Sequence, residues 1–321
     1  MSKAVTLIFP GQGSQYVGMG KLLEGCESFA MLEKADQVLG YSLSKIMLEG
    51  PEDELKMTQN TQPAILTHSL MLCEELKKLL TKNNITIERV LGHSVGEYAA
   101  LVAAGAVSFE DAIQLVHLRG KFMQDAVPVG RGAMYALLKV PQDIILKACQ
   151  AVSTEQEKVM PANFNEPSQI VISGDKNACE RALKWLEENH KDAYRAVELN
   201  VSAPFHSSLM APAAQNMLKE LEKTKINNTH LPYIANIDAQ EYAVGTKAST
   251  VIQNLYKQVD GAVLWTQSIA KLSDGSVCLE VGPGRVLMGL VRKINRNIKV
   301  IPMDKENPWD EIEKEILSAC Q

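Results

Sequence analysis

The chain has no cysteine pair at CxxC spacing: Cys26, Cys73, Cys149, Cys179, Cys278 and Cys320 stand apart along 321 residues. A chain of this length can bury a core without disulfide staples. Six free thiols in a reducing cytoplasm are therefore expected, and no metal site. No apolar run approaches the ~20 residues that span a bilayer. The one short N-terminal run, Ala4 to Phe9, ends in Pro10-Gly11 and lacks the length and cleavage site of a secretory signal. Positive charge is not in excess. Thirty-three basic against 38 acidic residues leave a formal charge of -5, which argues against a nucleic-acid phosphate backbone as partner. Repeats, charge blocks and low-complexity segments are absent. What is left, 46% hydrophobic and 22% charged residues, is an ordinary globular composition, long enough for one large domain or two smaller ones.

The hydrophobic patterning is that of an α/β protein. "AVTLIF" reads as a buried strand turning at Pro10-Gly11, and "SFAMLEKADQVLG" as a helix capped by Gly40. "QPAILTHSLMLCEELKKLL" reads as a helix with a proline near its first turn. "ITIERVLG" is the next strand, followed by the helical patterns "GEYAALVAAGAV" and "FEDAIQLVHLRGKFMQDAV". Strand and helix in alternation predict a mostly parallel sheet with helices on both faces. Near Gly130 the texture changes. "GAMYALL", "PQDIILKACQAV", "VMPANFN", "QIVISG", "NACERALKWLEENH" and "AYRAVELNVS" spell β-α-β-β-α-β, the split pattern of a ferredoxin-like unit. The expected layout is a large domain over 1–129 and 200–321 with this small subdomain, 130–199, inserted. "LPYIAN", "VCLEVGP" and "IKVIPMD" supply the later strands.

Chemistry concentrates at "VLGHSVGEYAA". Ser94 stands between Gly92 and Gly96, after a strand and before a helix, which is the context of a nucleophile elbow. The flanking glycines allow a sharp turn, and the following helix aims free N–H groups at a developing oxyanion. A serine hydroxyl needs a base. His68 and His117 lie within helical patterns, His190 ends one, His230 sits in a polar loop, and His93 must point away from its neighbour Ser94. His206, in the loop of "VSAPFHSSLM", is the better placed, but these residues alone leave the choice open. The first loop is no phosphate cradle. Gly11 and Gly13 are followed by Tyr16 where a third glycine is needed, and the "GK" pairs at 20–21 and 120–121 have Gln15 and Leu115 at the earlier glycine position.

Seven segments occur in order: "FPGQGSQ", "TQPAIL", "GHSVGEYAAL", "RGKFMQDAVP", "NFNEPSQIVISG", "PFHSSLM" and "EVGPGRVLMGL". Together, over about residues 5–302, the chain closely resembles the malonyl-CoA:acyl-carrier-protein transacylases and the related acyltransferase domains of polyketide synthases. The resemblance implies an α/β-hydrolase-like large domain, a ferredoxin-like insertion and an active site in the cleft between them. It implies Ser94 as nucleophile, His206 as its base, and Gln12 with the Val95 N–H as oxyanion hole. It implies Arg119 as clamp for a malonate carboxylate, with Gln62, Met123, Asn163 and Phe205 at the substrate pocket. In this family a backbone carbonyl orients the histidine, and Gln258 is the matching residue. Malonyl-CoA and a phosphopantetheinylated acyl carrier protein are the implied partners, with coenzyme A as a substrate and no cofactor.

A planar guanidinium suits a carboxylate, each charged hydrogen bond contributing about 1.5–3 kcal/mol. A bulky Phe205 before the histidine accompanies malonyl preference in the wider family, because it leaves little room for a substituent at C2. Glu166 stands where serine is frequent, and is expected to put a charge near the cleft rim. The leading expectation is malonyl transfer for fatty acid synthesis. A freestanding acyltransferase of a polyketide assembly line is the near alternative. A serine hydrolase or editing enzyme releasing acyl groups to water is the second.

Overall fold

The computed structural model describes residues 3–128, 130–305 and 309–320; the expected domain limits at 1, 129 and 321 lie outside them. Among the described residues ten strands form two sheets. They are β1 (Ala4–Phe9), β2 (Thr86–Gly92), β3 (Gly132–Leu138), β4 (Val159–Glu166), β5 (Gln169–Asp175), β6 (Arg195–Glu198), β7 (Tyr233–Ile234), β8 (Glu241–Tyr242), β9 (Val277–Glu280) and β10 (Lys299–Pro302). The six-stranded sheet runs β10-β9-β1-β2-β7-β8 and is parallel except for β8 at its edge. Buried on both faces, its central strands read as apolar runs: β1 has five buried residues of six, and all of β9 is buried. The four-stranded sheet runs β4-β5-β3-β6, is antiparallel throughout, and draws its strands from residues 132–198. No described helix is long and apolar enough to cross a membrane.

Two elements depart from the sequence reading in ways that shape the cleft. The long helix spans Thr58–Lys82, so its start precedes the expected proline turn and Pro63 lies inside it. A proline there leaves the carbonyl four residues back without its N–H donor. That carbonyl, on Gln59, instead faces His117 Nδ1 at 3.0 Å. The early start brings Thr58 into the helix, where its Oγ1 lies 3.5 Å from Gln12 Nε2 and 2.7 Å from Ser202 Oγ. The strand expected to run through Ser202 pairs with β3 only over Arg195–Glu198, and Leu199 N–H still donates to Met134 O. The chain then leaves the sheet, and residues 199–204 border the cleft.

The small sheet is stitched to the large one through β4. Phe164 N–H donates to Val263 O and Val263 N–H to Ala162 O, at 2.9 and 2.8 Å. Thr266 Oγ1 donates to Phe164 O at 2.9 Å, and His93 Nε2 meets Asn165 Oδ1 at 2.8 Å. Glu166 belongs to this seam. Its carboxylate is buried, accepts from Ser168 N–H and Oγ–H, and pairs with Lys293 at 3.1 Å. The charge expected near the rim is turned inward and neutralised, and it fixes the β4–β5 turn against the helix Val286–Ile294.

Candidate active site

The site begins with Gly92 and Gly96. Neither has positive φ; what each needs is space. A Cβ on Gly92 would lie 2.1 Å from Gly96 O, and one on Gly96 would lie 2.2 Å from Phe9 O. The elbow can therefore press against β1 only with glycine at both positions. The left-handed backbone falls on Ser94 itself, at φ 52°. A non-glycine residue there costs roughly 1–2 kcal/mol, which the surrounding contacts must offset. Val95 follows as N-cap of the helix Gly96–Ala103, which leaves the first backbone N–H groups of that helix directed toward the serine.

Ser94 Oγ lies 2.7 Å from His206 Nε2. His206 is buried at 3% exposure and is also left-handed, at φ 55°. Its Nδ1 faces two carbonyl oxygens, Gln258 O at 2.9 Å and Gly261 O at 3.0 Å. Carbonyls only accept, so Nδ1 must carry the hydrogen, and Nε2 offers a lone pair to the Ser94 hydroxyl. Burial and then the Arg119 charge push the imidazole pKa down to about 3, so the ring is neutral and able to take a proton at physiological pH. A base held by backbone carbonyls rather than a carboxylate is a variant of the serine–histidine arrangement.

Arg119, in the helix Phe109–Asp125, is 1% exposed. Nη1 donates to Gln62 Oε1 at 2.8 Å; Nη2 donates to Gln258 Oε1 at 2.9 Å and to Ser94 Oγ at 3.1 Å. The guanidinium also lies over the Tyr98 ring, 5.8 Å from its centroid. Among the described residues its direct side-chain partners are two amides and one hydroxyl, with no carboxylate paired to it. One Nη1 hydrogen is uncommitted and one Nη2 hydrogen is spent only on Ser94, so the fork can turn to a carboxylate once that serine is acylated.

The remaining expected residues converge on the same place. Gln12, Gln62, Val95, Met123, Asn163 and Phe205 line one cavity of about 110 Å³ with Ser94, Arg119 and His206. The space beside Ser94 has room for a small acyl group. Gln12 is exposed at the mouth, its Nε2 3.5 Å from Thr58 Oγ1. Asn163, Phe205, Gln62 and Met123 are buried, and Gln62 Nε2 faces Met123 Sδ at 3.9 Å. Gln258 is wholly buried: its carbonyl accepts from His206 Nδ1, its Oε1 accepts from Arg119, and its Nε2 donates to Ser94 O at 2.9 Å and to Glu97. A larger groove of about 1100 Å³ shares Gln12, Met134, Leu199 and Val201 with the cavity and opens outward. Among the described residues no cluster of His, Cys, Asp and Glu could hold a metal ion.

The acyl transferase domain family matches residues 6–307. The chain belongs to that family. It is 43% identical over 305 residues to the malonyl CoA-acyl carrier protein transacylase of Bacillus subtilis, covering 94% of this chain and 93% of the relative. An acyl carrier protein S-malonyltransferase from Vibrio cholerae, solved by crystallography, superposes with a TM-score of 0.89 at 38% identity, covering 97% of this chain and 100% of the other. A malonyl-transacylase solved in complex with a type II polyketide acyl carrier protein superposes at 0.87 and 36% identity, covering 99% of each chain.

Two residues of this acyl transferase that the sequence reading missed lie beneath the elbow. Glu97 is wholly buried, and its Oε2 accepts from Gln258 Nε2 at 2.6 Å and from Asn236 N–H at 3.3 Å. Burial raises its pKa to about 7 against the opposing pull of those donors. The ionised Glu97 carboxylate has no hydrogen to donate, so it takes one from Gln258 Nε2 and leaves Oε1 of that amide facing Arg119. Asn236 touches Ser94 and Gly92 directly. A signal for Glu97 was present, an acid in an otherwise apolar helix start; for Asn236 it was only a polar residue at the carboxyl end of a strand.

Proposed function

We propose that this acyl transferase carries a malonyl group from coenzyme A to the phosphopantetheine thiol of an acyl carrier protein, through a malonyl ester on Ser94, in fatty acid synthesis. The observation that carries the proposal is one shared oxygen: Ser94 Oγ contacts both the His206 base and the Arg119 cation. A cleft that joins a nucleophile to a cation without a carboxylate partner suits a substrate with a thioester at one end and a carboxylate at the other. The names of the relatives in Bacillus subtilis and Vibrio cholerae support the same reading.

In the first half-reaction Ser94 Oγ attacks the thioester carbonyl and gives its proton to His206 Nε2. The Val95 N–H and the Gln12 amide, both at the cavity with Ser94, receive the oxyanion in this reading, the latter after turning from Thr58. The C–S bond breaks, and the departing sulfur takes the proton from His206. Arg119 releases Ser94 and grips the malonyl carboxylate, while Phe205 and Met123 limit the space at C2. In the second half-reaction the carrier thiol enters along the outer groove, loses its proton to His206 and attacks the ester carbonyl; the C–O bond to Ser94 breaks and Ser94 Oγ takes the proton back from His206 Nε2. The sequence is ping-pong, and as written it uses no resident cofactor.

The finer architecture belongs to the same reading: an α/β-hydrolase-like domain over 1–129 and 200–321, and a ferredoxin-like subdomain over 130–199. The order β4-β5-β3-β6 after a β-α-β-β-α-β chain path supports the latter. A cytoplasmic location is proposed from the six free cysteines, four of them buried. The likeness to a polyketide malonyl-transacylase favours a polyketide carrier as the second reading. Relative transfer rates to the two kinds of carrier separate these.

Intact-mass analysis after mixing with malonyl-, methylmalonyl- and acetyl-CoA tests the proposal. One malonyl adduct on Ser94, transferred to added carrier, is expected. Free malonate as the main product in the presence of carrier would make the protein a hydrolase.

A further inference from the structure

We infer that Asn236 is a positioning residue for acyl transfer: its side-chain amide brackets the nucleophile elbow and holds Ser94 in its left-handed conformation. The inference rests on the proposed malonyl transfer through Ser94. Asn236 Oδ1 accepts from Ser94 N–H at 2.7 Å, and Asn236 Nδ2 donates to Gly92 O at 2.6 Å. One planar amide thus spans the peptide units on either side of His93 and fixes the distance between them. Asn236 is itself held rigidly. It is 2% exposed, its N–H donates to Glu97 Oε2, and its carbonyl accepts from Leu264 N–H at 3.0 Å.

The geometry decides what the bracket controls. Ser94 stands at φ 52°, where a serine is not held by its own preference. Turning that residue toward an ordinary backbone conformation would swing Oγ away from His206 Nε2 and re-aim the Val95 N–H, the next donor along the chain. Asn236 touches neither Oγ, His206 nor Arg119, so it acts on the reacting atoms only through the backbone of the elbow. Its loss should therefore lower the rate of Ser94 acylation without changing how the acyl group is chosen. Neither Asn236 nor its partners Gly92, Ser94, Glu97 and Leu264 line the outer groove, so substrate capture should be little affected.

The test is rapid-quench acylation of Asn236→Ala by malonyl-CoA and by acetyl-CoA, on protein shown folded by near-ultraviolet circular dichroism. The expected result is a fall in maximal acylation rate of a hundredfold or more. The KM for malonyl-CoA should stay within threefold, and the malonyl-to-acetyl rate ratio should not change. A folded variant acylated within threefold of wild type overturns the inference; so does a loss confined to KM, or one that alters the ratio. Asn236→Asp gives a second reading if the alanine variant does not fold. It keeps an acceptor toward Ser94 N–H and removes the donor toward Gly92 O, so its maximal rate should fall at least tenfold at unchanged KM. A wild-type rate in that variant would also overturn the inference. Failure of the wild-type protein to take malonyl from malonyl-CoA would instead overturn the transfer reading itself.

Discussion

The acylation half-reaction should be almost insensitive to pH between 8 and 5, because the base is a histidine that resists protonation. In water an imidazole titrates near 6.5, so at pH 5 only about 3% of it is neutral. His206 is 3% exposed and sits beside the Arg119 charge; together burial and that charge hold its pKa at about 3. At pH 5 about 99% of it is then neutral, a roughly thirtyfold difference in competent enzyme, and at pH 6 the difference is about fourfold. The assay is rapid-quench release of coenzyme A from malonyl-CoA without carrier, so no thiol titration of an acceptor intervenes. The value of kcat/KM reports the free enzyme. The malonate carboxylate stays ionised over most of this range. A midpoint near 6.5 in kcat/KM that persists in Glu97→Gln, which removes the scaffold carboxyl raised to about 7, would refute the argument, since it would mean that the folded site does not disfavour the imidazolium. Stability follows with a definite sign. A depressed folded pKa gives stability that is present above pH 6.5 and lost as pH falls toward 3, about 2 kcal/mol of it by pH 5. Glu97 and Glu280, both raised to about 7, act oppositely over the same window, so the fold should survive to pH 5 for the measurement.

Ser94→Ala should abolish the malonyl adduct in intact-mass analysis and lower transfer by about 10⁵–10⁶, the range seen when other serine nucleophiles are deleted; a retained adduct would place the ester elsewhere. Arg119→Ala should lose the preference for malonyl over acetyl groups and move the midpoint of the kcat/KM profile upward, because the second largest cause of the low His206 pKa is removed; unchanged selectivity would take Arg119 out of the carboxylate role. Phe205→Ala should admit methylmalonyl-CoA, raising its kcat/KM relative to malonyl-CoA by roughly tenfold or more, about the discrimination one methyl group provides in an apolar pocket; an unchanged ratio would move the C2 contact to another residue. Glu97→Gln should gain stability relative to wild type as pH rises. The raised folded pKa of Glu97 contributes stability that is present below about 4.5 and lost through about 7, so urea unfolding at pH 5 and pH 8 should show the difference growing by about 2–3 kcal/mol. A difference independent of pH would mean that Glu97 ionises normally.

The parts of the site that were legible in the sequence are those whose chemistry is written locally. A strand, two glycines around a serine and a helix start fix an elbow wherever they occur, and both glycines prove to be required by contacts below 2.5 Å. The seven ordered segments carried Gln12, Gln62, Arg119, Asn163 and His206 to one cleft although they lie on separate elements. The misses have a common cause, which is that local pattern does not report a partner distant in the chain. Pro63 looked like a helix start because nothing nearby shows that His117 faces the carbonyl it frees. Glu166 looked like a rim charge because Lys293, 127 positions away, is not visible from its neighbours. Asn236 is 142 positions from Ser94 and follows a two-residue strand too short to announce what its end supports.

The structure also explains why a buried arginine serves this chemistry better than an ion pair would. Had Glu97 reached Arg119 directly, the guanidinium would be satisfied and a substrate carboxylate would have to displace a carboxylate already in place. Gln258 stands between them instead, donating to Glu97 and accepting from Arg119. The amide fixes the guanidinium without neutralising it, and Gln62 does the same from the other side. The charge left over has two consequences. It makes the cleft favour an anionic acyl group, and it keeps His206 unprotonated before that group arrives. Once a malonate carboxylate neutralises Arg119, the repulsion on the imidazolium is relieved, so the histidine becomes a stronger base in the complex that needs one. On the proposed malonyl-transfer reading, substrate selection and base strength are therefore set by one residue, and the polar scaffold of Glu97, Asn236 and Gln258 beneath the elbow holds that residue and the serine in register.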